Sequence, residues 1–234
     1  MPRVAVSRAL PQRGHAQRYG LLLVALFASL AVQGAVPPSP AQQVVVSTLV
    51  GGSLLLSFWA AGLRKRWLIA ALVLAVTVVA LSLIRAITGG IGDGASRTMN
   101  GVLVALGPPA IAVGVVRNLR SQGAVRIEAV MGVLSFYMLL GMLFAFVFGA
   151  IDNFGGHPFF TGGISATVSN CLYFSFTTLA TVGYGDLTAR TNLGHTLSIL
   201  EALIGQIYLV TVVSLIVSNL RRSPAPEPAP PTAD

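Results

Sequence analysis

The chain has 234 residues, of which 54% are apolar and only 9% charged, with a formal net charge of +8. A soluble domain carries about a quarter charged residues, so this composition excludes an ordinary water-exposed surface and indicates a membrane protein. The single cysteine, Cys171, excludes a disulfide within the chain.

Six apolar segments are long enough to be membrane-spanning helices, which need about 20 mainly apolar residues. In chain order they are 20–36, 44–63, 67–84, 99–116, 129–151 and 193–220. The first could instead be a cleaved signal peptide, but Gln33 fits poorly at the small-residue position of a site ending at Ala35. We therefore expect a retained helix.

The basic residues set the orientation, because short cytoplasmic loops of membrane proteins are rich in Lys and Arg. With the N-terminus inside, the cytoplasmic set is Arg3, Arg8, Arg13, Arg18, Arg64, Lys65, Arg66, Arg117, Arg120, Arg126, Arg221 and Arg222. The outer set is Arg85, Arg97 and Arg190. Both termini are thus predicted to be cytoplasmic, in a multi-pass protein of the cell membrane. The positive charge predicts contact with anionic lipid headgroups and leaves little to be explained by nucleic-acid binding.

The stretch between the fifth and sixth segments is too polar and too broken to span the membrane, yet it starts and ends on the outer side. It contains the aromatic and Thr-rich run 173–180, which leads directly into Thr181-Val182-Gly183-Tyr184-Gly185-Asp186. Irregular backbone at membrane depth is tolerated only where protein buries it or water lines it. A re-entrant loop that lines a pore satisfies this condition.

Residues 173–186 resemble the pore helix and selectivity filter of the tetrameric potassium-channel superfamily, in particular its bacterial six-segment members. The resemblance implies a passive, homotetrameric K⁺ channel without cofactors, in which each subunit supplies a quarter of every oxygen ring around the ion. The ion-binding residues would be Thr181, Val182, Gly183, Tyr184 and Gly185, with K⁺ held at the first four.

The residue types suit that chemistry. A ring of backbone carbonyls can replace the water around K⁺, and the Thr181 hydroxyl would add a ring at the cytoplasmic end. Consecutive carbonyls point the same way only if every second residue takes a positive φ, which Gly183 and Gly185 permit. Asp186 would add negative charge at the outer mouth.

A short helix over 168–180 is expected to support the filter and to direct its negative C-terminal end at the cavity. Its supporting residues would be Tyr173, Phe174, Thr177 and Thr178. Relatives often have Thr where this chain has Ala180 and Trp in the pore helix, so fewer hydrogen bonds are expected to brace the filter.

The sixth segment resembles the inner helix of bacterial members of the superfamily over 201–208. Gly205 occupies the place of the family's hinge glycine, with close packing on the pore helix as an alternative that is compatible with a hinge. Glu201 is an intramembrane carboxyl and therefore a candidate functional group. We expect it to hydrogen-bond a pore-helix Ser or Thr, the alternative being a solvated position near the outer end. Together with Gln206, these residues are the candidate hinge and gating residues.

A voltage sensor needs several charges that move through the membrane field, each worth about 2.3 kcal/mol per 100 mV. The first four segments lack such charges. The fourth contains no basic residue and carries Pro108-Pro109, which favours a kink. Arg117, Arg120 and Arg126 keep a spacing of three, but they are better explained as cytoplasmic anchors. We therefore expect weak or absent voltage dependence.

The prediction is an all-α membrane protein with six transmembrane helices and a re-entrant pore helix and filter loop between helices five and six. Its parts are a basic cytoplasmic N-terminus (1–19), a four-helix membrane domain (20–126), a pore domain (127–220) and a disordered Pro-rich tail (221–234). The alternatives are a non-selective cation channel and a non-conducting sensor or scaffold that keeps the pore module. No nucleophile–base pair or metal-ligand cluster in the sequence suggests an enzyme.

Overall fold

The computed structural model describes residues 13–35, 39–88, 104–106, 109–110, 113 and 127–220. Its helices in these ranges are α1 (Arg13–Ala35), α2 (Pro40–Ala60), α3 (Lys65–Thr88), α4 (Ile127–Phe154), α5 (Val168–Leu179) and α6 (Asn192–Leu220). A short 3₁₀ turn lies at Thr161–Gly163, and an isolated antiparallel bridge joins Phe160 to Ala189. The described part of the chain contains no β-strand.

Five of the six predicted apolar segments are helices in the structure. Within the described residues, four helices are long and apolar enough to cross a membrane, namely 18–35, 65–88, 130–154 and 192–212. The apolar part of α2, Val44–Ala60, is somewhat shorter. Most of the fourth predicted segment, 99–116, lies outside the described residues, as do Arg117, Arg120 and Arg126 and the tail 221–234.

Polar residues before two of the helices cap their first turns. The Ser39 hydroxyl accepts a hydrogen bond from the Gln42 amide at 3.1 Å, ahead of a proline in the first turn of α2. The Thr167 hydroxyl accepts a hydrogen bond from the Asn170 amide at 3.2 Å at the start of α5. These caps fix the helix starts because they satisfy amides that have no partner inside the helix.

The helices pack in chain order at the start and then around α5. Helix α2 contacts both α1 and α3, and α5 contacts α4 and α6. Helix α1 also packs on α4 and α5, so Leu22 and Leu26 belong to the same buried cluster as Met142 and Phe148. The first helix is therefore integrated with the two helices that precede the glycine-rich loop.

Candidate ion-conduction site

Helix α5 is a short element that delivers the chain to the loop 181–186. Its 12 residues correspond to about 18 Å, well under the membrane thickness. The predicted end at 180 is close to the observed end at Leu179. Beyond it the chain is non-helical until α6 begins at Asn192. Such a half-length helix followed by irregular backbone has the form expected of a re-entrant loop.

The backbone of this loop alternates in handedness. Gly183 and Gly185 have φ values of 53° and 82°, as expected from the sequence. Thr181 also has a positive φ, 55°, which the sequence did not predict. Every second residue from 181 to 185 is therefore left-handed. A threonine in this region is strained by about 1–3 kcal/mol and persists only where its surroundings hold it.

The loop amides are tied to the end of α5. The amide of Thr181 donates to the Thr178 carbonyl at 2.9 Å, and the amides of Val182 and Gly183 donate to the Thr177 carbonyl at 2.8 and 3.2 Å. These bonds satisfy carbonyls that a helix leaves open at its C-terminus. In the part of the chain that the structure describes, no hydrogen bond reaches the main-chain carbonyls of residues 181–184.

The Thr181 hydroxyl has a partner on α6. The side-chain amide of Gln206 donates to Thr181 Oγ1 at 2.8 Å, across 25 residues of sequence. This contact, which the sequence did not predict, joins the first loop residue to the position directly after Gly205. It leaves one lone pair of the hydroxyl oxygen for another ligand.

Two glycines let α5 lie close to its neighbours. A Cβ on Gly205 would overlap the Leu179 carbonyl oxygen and lie 2.9 Å from Leu179 Cδ1. A Cβ on Gly141 of α4 would lie 2.8 Å from the Phe176 ring. The close packing predicted as one role of Gly205 is therefore confirmed. The Leu179 carbonyl also accepts a hydrogen bond from Tyr137 at 3.2 Å, which fixes the end of α5 from the side of α4.

Glu201 is fully buried, and its carboxyl group is hydrogen-bonded to the Ser175 hydroxyl of α5. The expected bond to a pore-helix Ser or Thr is thus confirmed, and a solvated position near the outer end is excluded. Ser175 is equally buried and also donates to the Gly141 carbonyl at 2.6 Å. Helices α4, α5 and α6 meet at this serine.

Tyr173 lies beside the C-terminal end of the loop. Its ring stacks on that of Tyr184, with 6.3 Å between the centroids and 5° between the planes. A hydrogen bond to the Asp186 carboxylate raises the pKa of Tyr173 above its ordinary value. Tyr173 therefore contacts both Tyr184 and Asp186 of the loop.

The remaining predicted support residues divide between the loop and the core. Thr177 and Thr178 reach the loop through their main-chain carbonyls, and the Thr177 hydroxyl donates within α5 to the Tyr173 carbonyl at 2.9 Å. Phe174 packs in an aromatic cluster formed with Phe148, Phe159 and Phe160. Its support is therefore indirect.

The segments before α5 and after the loop are joined to each other by hydrogen bonds. The Thr161 amide donates to the Thr188 carbonyl at 3.0 Å, and their hydroxyls are 2.6 Å apart. Asp152 at the end of α4 accepts from the Phe159 amide at 2.8 Å, and His195 of α6 bonds the Ala189 carbonyl at 2.7 Å. The loop is thus fixed on both flanks.

Residues 132–222 match the profile of a family described as an ion channel. The match begins within α4, includes α5 and the loop, and ends just past α6. Over these residues the chain is similar to ion channels. The match covers less than half of the chain, so it does not describe α1 to α3. No curated protein matches the sequence. The match supports an ion channel, and the long apolar helices are consistent with a membrane protein.

Proposed function

We propose that the chain is one subunit of a homotetrameric, K⁺-selective channel that conducts passively, without a cofactor, through a pore on the four-fold axis. The observation that carries the proposal is the loop backbone. It alternates in handedness at 181, 183 and 185, and its carbonyls at 181–184 have no hydrogen bond within the described residues. Main-chain oxygens arranged in this way are suited to replace the hydration shell of a K⁺ ion.

The surface of the single subunit supports assembly. Val182 and Tyr184 are 51% and 72% exposed on a loop that is otherwise held by hydrogen bonds. Helix α6 also exposes a row of large apolar residues, which includes Ile199, Leu203, Ile207 and Val210. Neighbouring subunits would cover these side chains in a tetramer, where Val182 and Tyr184 would point away from the axis. Closed symmetry of this kind is the common form of homo-oligomers.

The proposal includes a multi-pass location in the cell membrane, with cytoplasmic termini and anionic lipid headgroups around the inner basic residues. It also includes weak or absent voltage dependence. The described parts of α1 to α3 support it, because their charged residues lie near the helix ends: Arg13, Arg18, Lys65, Arg66 and Arg85. Charges at such positions are suited to anchoring and would cross little of the membrane field.

The test is ion flux through the purified full chain in liposomes, with K⁺ measured against Na⁺ over a range of voltages. Gly183→Ala and Gly185→Ala should abolish K⁺ flux, because each forces an alanine into left-handed backbone at about 1–2 kcal/mol per residue. Gly52→Ala is the matched control, since a Cβ there meets nothing within 4 Å. Selective flux in either loop variant would refute the filter assignment.

The same measurement separates the alternatives. A reversal potential that does not distinguish K⁺ from Na⁺ would indicate a non-selective cation channel. An intact tetramer that conducts neither ion would indicate a scaffold that keeps the pore module as structure.

A further inference from the structure

The Ser175 hydroxyl lies between two oxygen atoms, and each of the two contacts needs a hydrogen atom. Its Oγ is 2.6 Å from the Gly141 carbonyl oxygen and hydrogen-bonded to Oε1 of Glu201. Both Ser175 and Glu201 are fully buried, so bulk solvent does not reach the two residues.

Counting hydrogens decides the direction of these bonds. A serine hydroxyl has one hydrogen, a carbonyl has none, and an ionised carboxylate has none. Two hydrogen bonds at the Ser175 oxygen, one to a carbonyl and one to a carboxyl group, therefore require two hydrogens, of which Ser175 supplies one. The Gly141 carbonyl can only accept. The second hydrogen must be on Glu201, so that Glu201 donates to Ser175 and Ser175 donates to Gly141.

The surroundings of Glu201 are consistent with a neutral acid. Its Oε2 atom is buried and has no hydrogen-bond partner in the described residues. The sequences of α4, α5 and α6 contain neither Lys nor Arg. An unpaired carboxylate buried in a membrane helix is costly and gains a proton instead.

The titratable groups on the three packed helices do not offer a counter-charge. Tyr137 on α4 is close enough to interact electrostatically with Glu201. His195, the residue on α6 able to carry a positive charge, bonds the Ala189 carbonyl near the outer end. The remaining titratable residues of these helices are Glu128 and Asp152 on α4, Cys171 and Tyr173 on α5, and Tyr208 on α6.

We propose that Glu201 carries its proton in the conducting channel and acts as a positioning residue, holding α5 between α4 and α6 through Ser175 and Gly141. The effect on conduction rests on the proposed function, whereas the protonation of Glu201 does not depend on that function. Loss of the proton would leave two acceptors facing one serine hydrogen. Either the Ser175–Gly141 or the Ser175–Glu201 hydrogen bond would then break. Helix α5, which supports the loop, would no longer be held between α4 and α6.

The first experiment reads the proton directly. Infrared spectra of the full chain in liposomes at neutral pH should show the C=O stretching band of a protonated carboxylic acid, which Glu201→Gln removes and Asp152→Asn leaves in place. Ser175→Ala should shift the frequency of this band, because the acid loses its acceptor. Absence of the band from the native protein would overturn the proposal, whatever the channel conducts.

The second experiment is the pH profile of K⁺ flux. Native flux should fall on the alkaline side, by about tenfold per pH unit once titration begins, because the protonated fraction falls by that factor. The amide of Glu201→Gln can still donate to Ser175, so this variant should conduct. Its flux should stay constant within about twofold over the pH range in which the protonated fraction of the native acid changes tenfold per pH unit. Glu201→Ala, which cannot donate, should conduct poorly at every pH. If the flux of Glu201→Gln falls at alkaline pH as it does in the native protein, the role of this proton is refuted. If no form conducts although the infrared band remains, the proposed function is refuted instead.

Discussion

Gly205→Ala tests how closely α6 approaches the end of α5. The added Cβ would overlap the carbonyl oxygen of Leu179, a backbone atom at the point where α5 passes into the loop. The same carbonyl accepts the hydrogen bond from Tyr137, so it cannot move away from α6 without disturbing its contact with α4.

The magnitude follows from two opposing effects. Overpacking of this kind costs about 1–3 kcal/mol, while alanine gains about 1 kcal/mol over glycine inside a helix. Gly52→Ala on α2 isolates the second effect, because a Cβ there meets nothing within 4 Å. The two variants should therefore differ in stability by about 1–3 kcal/mol. At roughly 2–4 °C per kcal/mol for a chain of this size, the difference in melting temperature is about 2–12 °C.

The assay heats the purified full chain in detergent and measures the fraction that still elutes as folded protein from a size-exclusion column. Gly205→Ala should melt below the native protein or close to it, and Gly52→Ala at or above it. Equal melting temperatures for the two variants would refute the close approach of α6 to Leu179.

Two further variants test polar contacts of α6. Gln206→Leu removes the donor to Thr181 Oγ1, so the strained threonine loses one restraint. We expect the reversal potential to show reduced selectivity for K⁺ over Na⁺. Native selectivity would show that the bond does not hold the loop. Tyr208→Phe removes the hydrogen bond to the Val133 carbonyl at 2.7 Å and should destabilise the protein by about 0.5–1.5 kcal/mol in the same melting assay, whereas unchanged stability would argue against that bond.

The sequence predicted those features of the site that depend on local chemistry. The left-handed backbone at Gly183 and Gly185 could be predicted because consecutive carbonyls face one way only when handedness alternates. Thr181 was not predicted to share it, because a β-branched side chain argues against a positive φ. In the structure Thr181 is hydrogen-bonded to Thr178 and Gln206.

Contacts between helices were harder to predict from the sequence. Glu201 could be predicted to bond a Ser or Thr because an intramembrane carboxyl needs a partner, but the choice of Ser175 depends on helix rotation. The Gln206 contact is of the same kind, since a change of one residue turns the side chain by about 100°. Membrane helices that are apolar on all sides carry no periodic stripe to set that rotation.

The packing of α1 has a consequence for modularity. The family match starts at residue 132, yet Leu22 and Leu26 of α1 are fully or almost fully buried in the same core as α4. A fragment cut at the start of the match would uncover that face and expose its apolar side chains to lipid in place of a fitted neighbour. Grafting this pore unit into another channel would therefore require α1, or a helix of matching shape, to be transplanted with it.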